Sequence, residues 1–415
     1  MDDILSQLRS LKFPLPTKYT GNESMLEFYE HAKEARLNQK YIESAFWSQK
    51  MLSLDPSNSY FSDALYELSI SLYYIDKKQL GSQLTDLIKL SKQIKARTKT
   101  STHLNSIYYI NIIPYLSYYA IDLKLSESNV YPLNPSLLFL ANKNSYLVNC
   151  RSVNYLLTES GSRIFHPNNI TITRNFLLLM NKDFTIINNQ EIIDKESRVF
   201  FEKHCQGYED IRLFEWSVNG FNGSFWFTAT TWDTHLENIA KITLCHLNEN
   251  KIDYIKVLNG PDSKKHEKNW LPLVINQQLH IIYSFSPLII LKVNHKTGET
   301  TKIFEKEFDK DYSYFRGGTT AIKMKLEKDG YFCFIHEVVD LSHRYYLTRG
   351  VWLSSDFTDI KITLPFYFIE RGIEFASGLA QTNNDELVVG VGVNDRKAFL
   401  FRIAVKTIKE MLGGK

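Results

Sequence analysis

Five segments of the sequence share one design: a short polar start, a strand pattern, a turn marked by Asn, Asp or Gly, and a second strand pattern. They begin at Asn134, Glu209, Asn269, Arg316 and Gly372. Alternation of apolar and polar residues between turn signals is typical of antiparallel hairpins. Recurrence of one hairpin every roughly 45 to 75 residues predicts a five-bladed β-propeller. A β-sandwich is the alternative all-β fold, but it would not require repeated polar starts.

The first 125 residues have a helical period instead. From Ser24 apolar residues return every three to four positions, and a second helix is expected over residues 41–54, ended by Asp55-Pro56. The small Ala45 in that helix is typical of a tetratricopeptide repeat. Residues 61–90 and 102–123 continue the pattern. We predict an α+β multidomain chain: an N-terminal all-α helical-repeat domain (residues 1–125) and an all-β five-bladed β-propeller (residues 126–415). An ordinary helical cap is the alternative for the first domain.

Composition limits the class of protein. The chain has 415 residues, 44% of them hydrophobic, 23% charged, with a net charge of +3. Such a small charge gives no electrostatic footprint for nucleic acid. The four cysteines show no CxxC spacing, so no zinc site is expected, and no cofactor is implied. Neither a signal peptide nor a membrane-spanning stretch is evident, so a reduced, cytoplasmic protein is expected.

The polar starts of the five segments predict one shared pocket. In a propeller the first strand of each blade lines the central channel, so residues at these starts converge. They are Asn134, Glu209-Asp210, Lys268-Asn269, Arg316 and Glu374. Carboxylates and basic residues at equivalent positions favour a functional funnel. Solvated turns are the alternative.

Short motifs spread over about two thirds of the chain resemble a known group of proteins. They are LNPSLL, VNCRSVNY, TRNFLLL, GYEDIRLF, EKNWLPL, YSFSPL, FRGGT, FIHEV, FYF, GIEFASGLA and GVNDRKAF. Their order resembles the five-bladed propeller clan of inverting mannoside phosphorylases and related β-mannosyltransferases. The closest form is the one that follows tetratricopeptide-like helices in bacterial and viral glycosyltransferase-like proteins.

The resemblance implies roles for particular residues. The clan's Glu-Asp-Pro-Arg motif reads Glu209-Asp210-Ile211-Arg212 here, and its single general acid corresponds to Asp210. The phosphate-binding or donor-binding set corresponds to Lys268, Arg316, His336 and Tyr345 or Tyr346. Thr348 stands where the family has a histidine, a departure that bears on phosphate or donor recognition.

Strand geometry assigns the charged residues of the GYEDIRLF segment to two faces. A carboxylic acid donates a proton to the leaving oxygen of a glycoside only if its pKa is raised toward neutrality. Alternation places Asp210 and Arg212 on one face and Glu209 on the other. We therefore expect Arg212 to orient Asp210. For Glu209 a salt bridge between blades is as well supported as catalysis.

Further side chains suit sugar hydroxyls, which need paired donors and acceptors. They are Asn134, Arg151, Asn154, Arg174, Asn175, Asn269, Glu374 and Asp395. Hydrogen bonds at turns and strand ends are the alternative role. Tryptophans 216, 226, 232 and 270 could stack on sugar rings, although packing within blades is the more frequent role.

Together these features predict a carbohydrate-active enzyme, either a glycosyltransferase or an inverting glycoside phosphorylase, with mannose as the sugar that the resemblance implies. The expected ligands are a sugar phosphate or activated sugar donor and a glycan acceptor, with a protein partner on the helical domain. A non-catalytic glycan-binding propeller with a helical adaptor is the alternative, and a protein-binding scaffold is a third.

Overall fold

The computed structural model describes residues 11–16, 24–54, 61–75, 81, 113–123, 131–157, 163–165, 170–201, 204–262, 265–340, 344–370 and 372–413. The chain divides into two compact units, Met1–Ile110 and Asn111–Lys415. No helix among the described residues is long and apolar enough to cross a membrane. All four cysteines are buried.

The first unit contains the helices α1 (Met25–Leu37), α2 (Tyr41–Leu54) and α3 (Phe61–Tyr74). Ser24 and Glu27 begin α1 with a capping box, in which each side chain accepts from the other residue's backbone N–H. The unit's apolar core is formed by Phe28, Ala32, Ala35, Phe46, Trp47 and Met51.

The prediction of an N-terminal all-α helical-repeat domain is wrong. Its described part consists of three short helices, and the chain as a whole is mainly β. Ala45 is fully buried, but a small buried residue serves any close helix packing as well as it serves a repeat. Amphipathic spacing shows that a helix has one buried face, not how many helix pairs stack on it. The protein partner predicted for that domain loses its basis.

The predicted helical stretch over residues 102–123 is wrong where the structure describes it, because Ser117–Ala120 is the strand β1. Short apolar runs fit a strand and a helix equally well. Residues 102–112, like residues 76–80 and 82–90 of the preceding stretch, lie outside the described residues. The second unit begins before the predicted boundary at residue 125, and β1 lies between the two positions.

The second unit is the predicted five-bladed propeller, built of five antiparallel sheets. Blade 1 contains β2 (Tyr131–Leu140), β3 (Ser145–Val153), β6 (Thr173–Asn181) and β7 (Ile186–Glu191), beside a separate hairpin of β4 (Tyr155–Leu157) and β5 (Arg163–Phe165). Blade 2 contains β8 (Glu209–Glu215), β9 (Phe225–Thr231), β10 (Lys241–Asn248) and β11 (Lys251–Leu258). Blade 3 contains β12 (Leu271–Ile275), β13 (Gln278–Phe285), β14 (Leu288–Val293) and β15 (Thr300–Lys306).

Blades 4 and 5 depart from this simple order. In blade 4, β16 (Phe315–Gly317) and β17 (Ile322–Lys323) both pair with β18 (Gly330–Asp340), followed by β19 (Arg344–Ser354) and β20 (Ile360–Ile362). Blade 5 contains β21 (Glu374–Gln381), β22 (Glu386–Val393) and β23 (Lys397–Ala404). Its outer strand is β1, which pairs antiparallel with β23. The helix α4 (Val405–Met411) follows.

The innermost strands of blades 1 to 3 begin with a shared backbone irregularity. Asn134, Asp210 and Asn269 all have positive φ, at 44°, 53° and 61°. Asn and Asp tolerate this left-handed conformation better than other residues with a side chain. The pairing register shifts at the first two of these sites, so β2 and β8 each carry a bulge. A bulge redirects the side chains at the end of the channel where the strands begin.

Glycines of blade 5 allow its close approach to blade 1. A Cβ atom at Gly390 would lie 2.0 Å from the carbonyl oxygen of Pro135, and one at Gly378 would lie 2.6 Å from the same atom. The Ser377 hydroxyl donates to that carbonyl at 3.1 Å. Blades 1 and 5 therefore meet backbone to backbone.

We expect Gly390→Ala to lower the free energy of unfolding by about 3 kcal/mol, because neither backbone can move away easily. Gly223→Ala is the control, since that glycine has open space around it and only its positive φ of 95° opposes a side chain, at about 1 kcal/mol. Urea denaturation measures both. Equal losses in the two variants would contradict the close contact.

Candidate functional site

A cluster of charged and amide side chains lies where the inner strands of blades 1 to 3 begin. The hydrogen bonds of the structure connect Asn134, Arg151, Glu209, Asp210, Arg212, Lys268 and Asn269. All of these residues were predicted from the sequence as site residues. We call this group the channel cluster.

Arg151 holds both carboxylates of the channel cluster. It lies on β3, is 4% exposed, and donates to Asp210 Oδ1 at 2.8 Å and to Glu209 Oε1 at 3.1 Å. Its Nε donates to the Thr173 hydroxyl at 3.1 Å, which fixes the plane of the guanidinium. A buried arginine of blade 1 therefore forms ion pairs with two adjacent carboxylates of blade 2.

The two oxygens of Asp210 have different surroundings. Oδ1 accepts from Arg151 and also from the Asn134 amide at 2.8 Å. Within the described part of the chain Oδ2 accepts no hydrogen bond, and the Asp210 side chain is 23% exposed. One oxygen is thus fixed by two donors while the other is available to a ligand.

Glu209 has a set of donors of its own. Besides Arg151, its carboxylate accepts from Lys268 Nζ at 3.2 Å and from the Trp232 indole at 3.3 Å. It is almost fully buried. It forms the salt bridge between blades that the sequence left open as one of its two roles.

The expectation that Arg212 and Asp210 share a strand face, with Glu209 opposite, is wrong. The bulge and the positive φ at Asp210 break the alternation, so Glu209 and Asp210 both reach Arg151. Arg212 donates to the backbone carbonyl of Asp210 at 3.0 Å, and among the described residues its other acceptors are Gly317, Gly318 and Asn269, not the Asp210 carboxylate.

Arg212 instead crosses the channel. Its Nε donates to the carbonyl oxygen of Gly318 in blade 4 at 2.7 Å, and a terminal nitrogen donates to Asn269 Oδ1 in blade 3 at 3.2 Å. Only 1% of it is exposed, and this burial lowers its pKa to about 10. Arg212 joins three blades at the channel axis.

The pKa of Asp210 is lowered in the free protein. Burial alone would raise it, but the charges of Arg151 and Arg212 and the hydrogen bond from Asn134 outweigh burial. The pKa of Glu209 is lowered too, because Arg151 and Lys268 outweigh its burial. The raised pKa expected for a general acid is therefore not found, and Asp210 is ionised at neutral pH.

An aromatic pair beside Glu209 was missed in part by sequence reasoning. The Trp232 indole stacks on the His204 imidazole, with ring centroids 3.9 Å apart and planes inclined by 10°. The Lys268 ammonium lies 5.2 Å from the centroid of a Trp232 ring. Trp232 was one of four candidate tryptophans, whereas nothing in the sequence singles out His204. Trp216, Trp226 and Trp270 are buried in the blades.

The remaining predicted phosphate-binding residues lie on blade 4. Arg316 is exposed and donates to the carbonyl oxygens of Ser313 and Phe315, at 2.9 and 3.2 Å. It pairs across the sheet with His336, whose ring centroid lies 4.8 Å from that of Tyr346. Tyr345 is placed only by its backbone, which pairs with Val339.

His336 is neutral at physiological pH. Burial, with the nearby Arg212 and Arg316 charges, lowers its pKa to about 3. Its Nδ1 is buried without a hydrogen-bond partner in the described chain, as is the hydroxyl of Thr348, its cross-strand neighbour. As a phosphate-binding residue it could donate a hydrogen bond but would not supply a charge.

Other predicted sugar-binding residues are occupied elsewhere. Glu374 accepts from three backbone N–H groups, those of residues 368, 369 and 370, and Asn154 bonds the backbone at Ile170 and Ile172. Arg174 pairs with Glu191 on the outer part of blade 1. Asn175 donates to the Tyr208 carbonyl, and Asp395 accepts from the Tyr155 hydroxyl. These bonds fit the alternative role at turns and strand ends.

The backbone that leads into Glu209 and Asp210 is fixed from outside. The N–H of Gly207 donates to buried Asp233 at 2.8 Å, and the Tyr208 hydroxyl donates to Asp194 at 2.6 Å. The Arg198 guanidinium lies 4.6 Å from the Tyr208 ring centroid and bonds both of these aspartates. The position of the two carboxylates therefore depends on a second, separate ion-pair network.

Several solved structures of sugar-active proteins align with most of this chain, each at low identity and with a TM-score below 0.5. β-1,2-Mannobiose phosphorylase from Listeria innocua aligns with 72% of this chain and 99% of its own, at 13% identity and a TM-score of 0.48. A mannose phosphorylase from Leishmania mexicana aligns with 73% of this chain and 92% of its own, at 13% identity and a TM-score of 0.45. A GDP-Man-dependent mannosyltransferase from Leishmania mexicana aligns with 76% and 93%, at 13% identity and a TM-score of 0.41.

These neighbours are of the kinds that the motifs resemble, mannoside phosphorylases and a mannosyltransferase. At 13% identity and a TM-score of 0.48 the likeness assigns no activity to this chain. No protein-family model and no curated protein matches the sequence.

Arg151→Gln should lower the free energy of unfolding at pH 7 by about 3 to 5 kcal/mol, because the buried Glu209 and the partly buried Asp210 lose the guanidinium that they share. The pKa of each carboxylate is lower in the folded state than its ordinary value, which is 3.8 for Asp210 and 4.5 for Glu209. The ionised carboxylates therefore stabilise the folded state at pH values above these ordinary values. This stabilisation is lost as the pH falls through the lowered pKa values. The difference in free energy of unfolding between wild type and variant should therefore become smaller below about pH 4. Denaturation at pH 7 and pH 3 measures it.

The matched control is Arg174→Gln, which breaks a half-exposed ion pair with Glu191 and should cost at most about 1 kcal/mol. If the loss of free energy of unfolding in Arg151→Gln is the same at pH 7 and pH 3, the proposed charge pairing is contradicted.

The His336 imidazole should keep its neutral chemical shifts from pH 8 down to pH 5, because its pKa of about 3 lies well below that window. Two-dimensional NMR of ¹³C-labelled histidine, assigned with His336→Gln, tests this. Titration of that resonance with a midpoint near pH 6.5, the ordinary histidine value, would show that the ring is accessible to water.

Proposed function

We propose that the protein is a carbohydrate-active enzyme that transfers a glycosyl group at the channel cluster, with Asp210 as acid–base residue. One observation carries the proposal: an ionised Asp210 presents a free oxygen beside the mouth of a polar channel while two donors hold the other oxygen. A carboxylate held in this way is suited to accept or donate a proton through its Oδ2 oxygen.

The ionised state supports transfer to an acceptor hydroxyl. In that direction Asp210 is the general base, which removes the proton of the attacking hydroxyl as its oxygen bonds to the sugar carbon and the leaving phosphate departs. Microscopic reversibility makes the same group the general acid when a glycoside is cleaved. For the cleavage direction a bound anion would have to offset the arginine charges that lower the pKa of Asp210.

Neighbouring residues have supporting roles in this proposal. Lys268 is 43% exposed at the side of Glu209 and can reach a phosphate of the donor while Glu209 holds it in place. Trp232, stacked on His204 and close to the Lys268 ammonium, places an aromatic side chain beside the carboxylates that a sugar ring could contact. Mannose as the sugar, and a sugar 1-phosphate or nucleotide sugar as the donor, are the substrates to test first.

Asp210→Asn should reduce turnover about 10²- to 10⁴-fold, because the amide cannot accept the proton. The assay incubates the protein with sugar 1-phosphates and nucleotide sugars plus glycan acceptors, and detects new glycosides by mass spectrometry. Glu215→Gln is the control: Glu215 ends the same strand and is exposed, with its carboxylate held by Ser224, so turnover should not change.

Turnover that survives Asp210→Asn would refute the role of Asp210. Binding of glycans by wild type and Asp210→Asn alike, without any product, would favour the non-catalytic glycan-binding propeller.

A further inference from the structure

A second cavity, of about 580 Å³, lies between blades 4 and 5 and helix α4. Its lining includes Lys323 and Lys325 of blade 4, Gln381 and Asp385 of blade 5, and Lys409 of α4. This volume is in the range of small-molecule sites.

The cavity is remote from the channel cluster. Strand β21 begins beside the channel cluster, because the ring of Phe375 lies 5.9 Å from the Arg212 guanidinium. The strand ends at Gln381, which lines the cavity. A strand of this length spans roughly 23 Å. The two sites therefore lie near opposite ends of one inner strand.

Three ammonium groups around the cavity have no partner among the residues that the structure describes. Lys323 and Lys325 flank the buried Met324, so alternation directs both away from the core. Neither they nor Lys409 makes an ion pair or side-chain hydrogen bond with any residue that the structure describes. Other lysines of the same blade are paired: Lys328 with Asp359, and Lys361 with Glu327.

Acceptors line the same cavity. The carboxylates of Asp329 and Asp385 also lack ion pairs within the described ranges. The backbone carbonyl of Asp385 accepts from Val405 at the start of α4, which fixes this residue at the wall. Three positive and two negative side chains leave a net charge of one positive unit.

This lining selects for a ligand that is both an anion and a donor of hydrogen bonds. A simple anion would be attracted by the lysines but would leave the two carboxylates facing it. A neutral sugar would satisfy the carboxylates through its hydroxyls but would leave the ammonium groups uncompensated. We propose that the cavity binds a sugar phosphate, with the phosphate at the lysines and the hydroxyls at the two aspartates. The proposal does not depend on the proposed function of the channel cluster.

Isothermal titration calorimetry of the full chain with glucose 6-phosphate, inorganic phosphate and glucose tests the site. Glucose 6-phosphate should bind at least tenfold more tightly than either of the other two. In the variant Lys325→Ala/Lys409→Ala the number of bound glucose 6-phosphate molecules should fall by one. Lys406→Ala, on the same helix but paired with Glu410, is the matched control and should leave binding unchanged.

The stoichiometry separates this site from the channel. If both sites bind, two molecules become one in the double variant; if the channel binds none, one becomes zero. Absence of binding at millimolar ligand, stoichiometry unaffected by the two lysine substitutions, or equal affinity for inorganic phosphate would each overturn the proposal. All the substituted lysines lie at the surface, and thermal melting verifies that the variants fold.

Discussion

The cross-channel hydrogen bonds of Arg212 determine the geometry of the propeller's inner wall. A buried guanidinium is tolerated only when its donors are satisfied, and here the partners come from blades 2, 3 and 4. Blade 4 can approach closely enough because residues 317 and 318 are glycines. A Cβ atom at Gly317 would lie 2.0 Å from the carbonyl oxygen of Asn269.

The two arginines of the channel cluster bind different parts of the segment that carries Glu209 and Asp210. Arg212 fixes the backbone at Asp210, and Arg151 fixes the side chains of Asp210 and Glu209. Because backbone and side chain are held by different blades, a free oxygen is presented at a defined position. Preorganisation of this kind is what a proton-transfer residue requires.

Local sequence signals predicted the blades, and long-range contacts decided what those signals missed. Turn residues and alternation are local, so the five hairpins and their polar starts were identified, and these starts include five of the seven members of the channel cluster. The other two, Arg151 and Arg212, were predicted on separate grounds, as a candidate for sugar hydroxyls and as the residue that orients Asp210. The orientation of Asp210 was not, because Asp permits a positive φ without requiring it. The pairing of β1 with β23 and the stacking of His204 on Trp232 join residues distant in sequence. The prediction of a helical-repeat domain was wrong because periodic apolar residues identify a buried face of a helix but do not indicate how many helices pack together.

The pairing of β1 with β23 has a consequence for synthesis on the ribosome. The strand over Ser117–Ala120 leaves the ribosome before the other strands described in the propeller, yet its partner, Lys397–Ala404, emerges after all of them. Blades 1 to 4 can assemble in order as the chain emerges, whereas the ring can close only after β23 has left the ribosome. Until then the unpaired edge of β1, with the exposed rings of Tyr115 and Tyr118 around it, is open to association with other nascent chains.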